Sequence, residues 1–276
     1  MKAPRRLGGR PWLAVLLAWC LAPLLWQAVT SVKPDAEITA LPARYWPGQL
    51  TFGHYEALFV RRPFAHYLWN SFFISSCATV LCLAVSAPAA YSLARLKPKG
   101  GQGMLALLIA ISFFPALTFF FPLYELVRAA GLLNNPISLI VPYATFNLPL
   151  GVLFLRAYFR TIPAEVEEAG LMDGLSRMQV MTRLVLPLAA PGLATTAILV
   201  FIASWNEFLF ALTFMPRDEA RTVTVGIAGL SGGSLFELPW GLIGAAIVIS
   251  VAPLLVLVAF FQRRIVEGLT QGATVD

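Results

Sequence analysis

The sequence predicts an all-α protein that crosses a membrane six times, and three observations carry that reading. Apolar residues make up 58% of the chain and charged residues only 12%, with a mean hydropathy of +0.75. Soluble domains run at roughly 25% charged, and a water-soluble fold of 276 residues cannot cover so much apolar surface with so few charges. The apolar residues also gather into six runs long enough to span a bilayer, at about 11–32, 67–94, 104–127, 137–158, 185–214 and 240–262. Finally, the basic residues are unevenly shared. With the N-terminus inside, the outside segments hold only Lys33, Arg44, Arg61, Arg62, Arg128, Arg217 and Arg221 of the 20 Lys and Arg residues. That asymmetry follows the positive-inside rule, and six spans then place the C-terminus inside as well.

The first run follows Lys2, Arg5, Arg6 and Arg10. It is too long for a signal-peptide core of about 7–15 residues and no A-x-A site follows, so a retained helix is expected. The extracytoplasmic loop 33–66 comes next, and within it Phe52, Tyr55, Leu58 and Phe59 have the spacing of a short surface helix. Prolines punctuate the spans at 23, 88, 115, 122, 142, 149, 191 and 253. Each removes a backbone donor and tends to kink its helix, which neighbouring helices or water tolerate in lipid. A second outer stretch, about 215–239, contains the turn Ser231-Gly232-Gly233-Ser234. Either outer stretch suits a docking surface or a plain solvated connection.

Several function classes are excluded. The net charge of +6 and isoelectric point near 9.5 come from short clusters between apolar runs, not from a basic stripe with aromatics, so no nucleic-acid partner is expected. Cys20, Cys77 and Cys82 all lie in apolar runs, and His54 and His66 are the only histidines, so neither disulfide nor zinc is expected. There is no GxxxxGK[ST], no H-E-x-x-H and no nucleophile constellation, so the chain is read as a non-catalytic protein that binds no cofactor itself.

The segment 159–187, FRTIPAEVEEAGLMDGLSRMQVMTRLVLP, is the most informative. Pro163 suits a first helical turn, and Glu165, Glu167 and Glu168 sit at its dipole-positive end. The helix is expected to stop between Gly170 and Gly174. Ser176 and Gln179 have capping-box spacing for a second helix that runs through Val180, Met181, Leu184 and Val185 into the fifth span. A helix–turn–helix on the cytoplasmic face follows.

This segment resembles the EAA loop of ABC importer permeases: Glu168, Ala169 and Gly170, then Gly174, then Leu184, Leu186 and Pro187 at the family's spacing. It departs from the pattern by Gly170 for the second Ala and Leu184 for Ile, and Asp173 matches the sugar permeases. The likeness continues in Thr30-Ser31-Val32-Lys33-Pro34, Asn70-Ser71, the run 89–95 ending Leu93-Ala94-Arg95, Ser204-Trp205-Asn206-Glu207-Phe208, and the tail from Phe261 to Leu269. These are similar to the carbohydrate branch, in particular the smaller maltose or trehalose permease subunit.

The resemblance implies a type I ABC importer permease fold as a single permease domain over 1–276, in the inner membrane of a bacterium. It implies as partners a second homologous permease, two copies of an ABC ATPase that use ATP and Mg, and an extracytoplasmic sugar-binding protein. Glu168 and Asp173 would make polar contacts to the ATPase, Ala169 and Gly170 would permit close helix approach, and Gly174 would make the turn. Leu184 belongs to the same motif. Pro187 would set the angle at which the loop meets the span, or is an ordinary helix-start proline. Within the C-terminal tail 263–276, residues 268–276 would reach between the two ATPases or are a frayed end. Glu207 is the one acid well inside a span; with Asn206 and Asn147 it is a candidate for the substrate pathway, or it serves packing and gating. Transport of another solute, a polyamine or an amino acid, is the alternative within the family. An ion-driven secondary transporter would need several intramembrane ionisable groups and inverted repeats, and a membrane enzyme would need a catalytic motif.

Overall fold

The computed structural model describes residues 10–231 and 238–273, and among them every regular element is helical. Lys2, Arg5 and Arg6, the centre of the turn at 232–234 and the last three residues of the tail lie outside the described residues. Four helices are long and apolar enough to cross a membrane: Trp12–Ser31, Phe64–Leu96, Ile137–Phe159 and Trp240–Gln262. Two bent pairs, Gly101–Ser112 with Ala116–Ala129 and Arg177–Leu188 with Ala190–Trp205, bring the spans to six when each pair counts as one.

The bends correct two of the expected runs. The stretch 104–127 is not one rod but two helices at 87°, broken where Pro115 follows Phe113 and Phe114. Pro115 donates no N–H and disfavours helical backbone in the residue before it, so the helix stops there. The stretch 185–214 bends by 79° at Ala189, between Pro187 and Pro191, and its helix ends at Trp205. Residues 206–208 are non-helical and a short helix, Leu209–Phe214, resumes after them.

The chain divides into two units. Unit 1, residues 1–65 and 226–253, contains α1 (Arg10–Ser31), the outer loop and α2 (Gly53–Val60). The loop is folded around Lys33, which is 2% exposed; its Nζ donates to the Arg44 carbonyl at 2.6 Å and lies 4.9 Å over the Trp26 ring. His54 binds the Lys33 carbonyl at 2.8 Å, and the Ser31 and Tyr55 hydroxyls meet at 2.7 Å. The expected surface helix exists, with Leu58 buried and Tyr55 hydrogen-bonded, but Phe52 precedes it as its cap.

Unit 2, residues 66–225 and 254–276, carries α3 (Phe64–Tyr91), α4 (Gly101–Ser112), α5 (Ala116–Ala129), α6 (Ile137–Phe159), α7 (Ala164–Met172), α8 (Arg177–Leu188), α9 (Ala190–Trp205) and α10 (Leu209–Phe214). One core cluster joins Tyr91, Val152, Leu155, Phe159, Val180 and Val185, which fastens α8 to the ends of α3 and α6, while the buried Glu167 of α7 bonds to Tyr91 and Arg95. A second joins Ile74, Val127, Leu139, Tyr143, Phe210 and Phe214. The α7–α8 hairpin is therefore packed onto the bundle and is not a free loop. Two π turns accompany it, Ser92–Leu96 at the end of α3 and Met181–Val185 within α8 itself. Such wide turns reset which residues face inward.

Candidate functional site

The hairpin is built from local signals. Pro163 precedes α7, and Glu165 and Glu167 lie in its first turn, where carboxylates favour the helix dipole. The C-terminus closes with the Gly174 N–H on the Leu171 carbonyl at 3.1 Å and the Leu175 N–H on the Gly170 carbonyl at 3.0 Å. This is the Schellman arrangement, and it requires Gly174 at φ +83°, a left-handed conformation that glycine adopts without steric cost. Ser176 then caps α8 as its spacing predicts: the Gln179 N–H donates to the Ser176 hydroxyl at 3.4 Å and the Ser176 N–H to Gln179 Oε1 at 2.8 Å.

The inner side of the hairpin depends on residues that sequence reasoning did not single out as a site. Glu167, not Glu168, is buried, and its Oε1 lies 2.7 Å from Arg95 Nε. The Tyr91 hydroxyl donates to Glu167 Oε2 at 2.9 Å, and the Arg95 guanidinium donates to the Ile162 carbonyl. The Arg95 Nε–H is not aimed along the carboxylate contact, so charge and the flanking hydrogen bonds hold the pair. A usable signal was present: Glu167 stands three residues before Gly170, on the face that packs inward, and Arg95 closes the second span. Gly170 is buried, and a Cβ on it would stand 2.5 Å from Leu184 Cδ1 and 3.3 Å from Val180 Cγ2. The two departures from the family pattern, Gly170 and Leu184, thus occupy one another's space.

The outer side is open. Glu168, Ala169, Asp173 and Gly174 are all exposed, with Met172 at 89%, Met178 at 62% and Leu171 at 37%. Methionine and leucine among acids form a surface that suits burial against a partner. Pro187 is exposed two residues before the bend at Ala189.

The second group of candidates is divided. Glu207 uses both carboxylate oxygens within the chain: Oε1 accepts the Phe210 N–H at 2.9 Å, while Oε2 accepts the Ala211 N–H at 3.1 Å and the Tyr143 hydroxyl at 2.5 Å. It satisfies the free donors at the start of α10 and ties that helix to α6. Asn147 and Asn206 instead turn back on their own helices, donating to the Tyr143 carbonyl at 2.8 Å and the Ile202 carbonyl at 2.9 Å. Next to Asn147, the Phe146 ring stacks on Phe210 with centroids 5.5 Å apart and planes at 13°. Tyr143, Phe146 and Phe210 were not singled out by sequence; the 20 phenylalanines gave no basis for choosing among them. Among the described residues, no group of three or more His, Cys, Asp or Glu is placed to hold a metal.

The chain is thus a polytopic helical protein with bent spans and a hairpin anchored on one side and uncovered on the other, and its class follows from its relatives. The chain belongs to the family of binding-protein-dependent transport system inner membrane components, whose model matches residues 56–271. It is 40% identical over 259 residues to the sulfoquinovosyl glycerol transport system permease protein SmoH of Agrobacterium fabrum, covering 94% of this chain and 90% of that one. It is also 40% identical over 259 residues to the trehalose transport system permease protein SugB of Mycobacterium tuberculosis, covering 94% of each. In fold it matches a chain of a bacterial ABC transporter involved in the import of the acidic polysaccharide alginate. That match has a TM-score of 0.78 at 23% identity, over 95% of this chain and 99% of the other.

Proposed function

We propose that the chain is one of two permease subunits of an ATP-driven importer for a sugar or oligosaccharide in a bacterial inner membrane, with both termini on the cytoplasmic side. Acting as a single permease domain, it forms half of the pathway. The hairpin 159–187 seats in an ATPase that binds ATP and Mg, and an extracytoplasmic sugar-binding protein delivers the solute. The observation that carries this reading is the two-sided hairpin: its inner side is fixed by Glu167, Arg95 and Tyr91, and its outer side leaves Met172, Leu171 and Met178 uncovered beside Glu168 and Asp173. ATP binding shifts the transporter only if the ATPases hold one conformation more tightly than the other, and a hairpin clamped to two spans transmits that preference. The relatives' solutes support a sugar.

The test is recovery of tagged chain from detergent-solubilised native membranes, with its companions identified by mass spectrometry. A second permease together with a Walker-containing ATPase is the expected result. A stable homo-oligomer without an ATPase overturns the proposal.

A further inference from the structure

We propose that the groove between the ends of α3 and α6 and the start of α4 binds the phosphate of an anionic phospholipid headgroup. The groove encloses about 630 Å³, and Lys97, Arg156, Arg160, Gly100, Gly101 and Gln102 line it. Arg156 and Arg160 stand one helical turn apart, where like charges repel. The Arg156 Nε is fully buried without a hydrogen-bond partner, and neither arginine nor Lys97 has a carboxylate or other side-chain partner among the described residues. Arg156 is half-buried while Arg160 and Lys97 are exposed, so three cations reach one groove with no acid among its lining residues, which leaves it attractive to an anionic ligand.

The backbone adds to the same field. Lys97 at φ +44° and Gly100 at φ +85° turn the chain so that α4 starts at the groove, and no side chain caps that helix end. Its free N–H groups and dipole favour an anion there. What selects a lipid over a soluble phosphate is the surroundings. None of the residues of α4 is buried, Leu96, Met104 and Leu107 are exposed at 41%, 53% and 56%, and all belong to the ends of spans where acyl chains lie. Basic pockets at such a level hold anionic headgroups. The inference rests on the chain lying in a bilayer and not on its ATPase partners, so its failure leaves the importer reading untouched.

The experiment takes the full-length protein with whatever subunits travel with it into nanodiscs of phosphatidylcholine containing graded phosphatidylglycerol. Lipid retained after detergent exchange is read by native mass spectrometry. Wild-type protein is expected to retain phosphatidylglycerol over phosphatidylcholine, R156Q/R160Q to retain it about thirtyfold more weakly and K97Q about fivefold more weakly. R156K/R160K and the control R61Q/R62Q are expected to match wild type. Lys97 is exposed, so K97Q decides the matter if the double arginine variant does not fold. Equal retention of the two lipids, or K97Q indistinguishable from wild type, overturns the proposal. Displacement of the lipid by millimolar glycerol 3-phosphate overturns the lipid assignment in favour of a soluble phosphate.

Discussion

Two glycines in the hairpin do different work, and substitution separates them. A Cβ on Gly174 would meet nothing within 4 Å, so the cost of a side chain there lies in the backbone at φ +83° alone. G174V is expected to weaken the turn by about 1–2 kcal/mol, while G174N, which tolerates the left-handed conformation, is expected to cost much less. Uptake and ATPase recovery check this: both are lost in the valine variant with membrane insertion intact, and normal uptake with valine contradicts the role. Gly170 is limited by space, since its Cβ would meet Leu184 Cδ1 at 2.5 Å. G170A is expected to destabilise by about 1–3 kcal/mol. Adding L184V, which removes the offending methyl, is expected to recover part of that loss, as contacting residues couple by about 0.5–3 kcal/mol. Additive shifts in thermal midpoint across that cycle would contradict the packing.

At the level of elements, the hairpin was legible because its signals are local. Pro163, the Ser176–Gln179 pair and the glycine at 174 act through their nearest neighbours. The bends at Pro115 and Ala189 were only half legible, because proline marks where a helix can break but neighbouring helices decide whether it kinks or turns through 87°. Which of Glu165, Glu167 and Glu168 faces inward was not read, since Arg95 and Tyr91 lie more than seventy residues away and their approach depends on a π turn at 92–96. Both side chains of the pair are largely buried, at 10% and 15% exposed. E167Q leaves Arg95 without its counter-charge, which costs about 3–5 kcal/mol where a buried pair is broken. Hydrogen exchange is expected to quicken across 164–188 while α6 stays protected; unchanged protection of the hairpin would contradict the anchor. Glu207 was legible as an unusual acid but not as the cap of α10, because the break at 206–208 carries no proline or glycine to announce it.

For the whole molecule, composition was enough to place the chain in lipid, and charge asymmetry predicts an orientation with both termini inside. The orientation is checked by a cysteine-free protein carrying M172C or L41C, at sites 89% and 94% exposed. A membrane-impermeant maleimide added outside intact cells is expected to label L41C only; the reverse pattern contradicts the assigned orientation. The elbow at Ala189 has a mechanical corollary. The 16 residues of α9 make a rod about 24 Å long at 1.5 Å per residue. If α8 and α9 turn together as one crank, a rocking of about 5° at the elbow sweeps the far end of α9 sideways by roughly 2 Å, a stroke that for a given angle scales with rod length. Stroke and gearing are thus built into the length of one span, and shortening α9 by a turn lowers the gear without touching the hairpin that drives it.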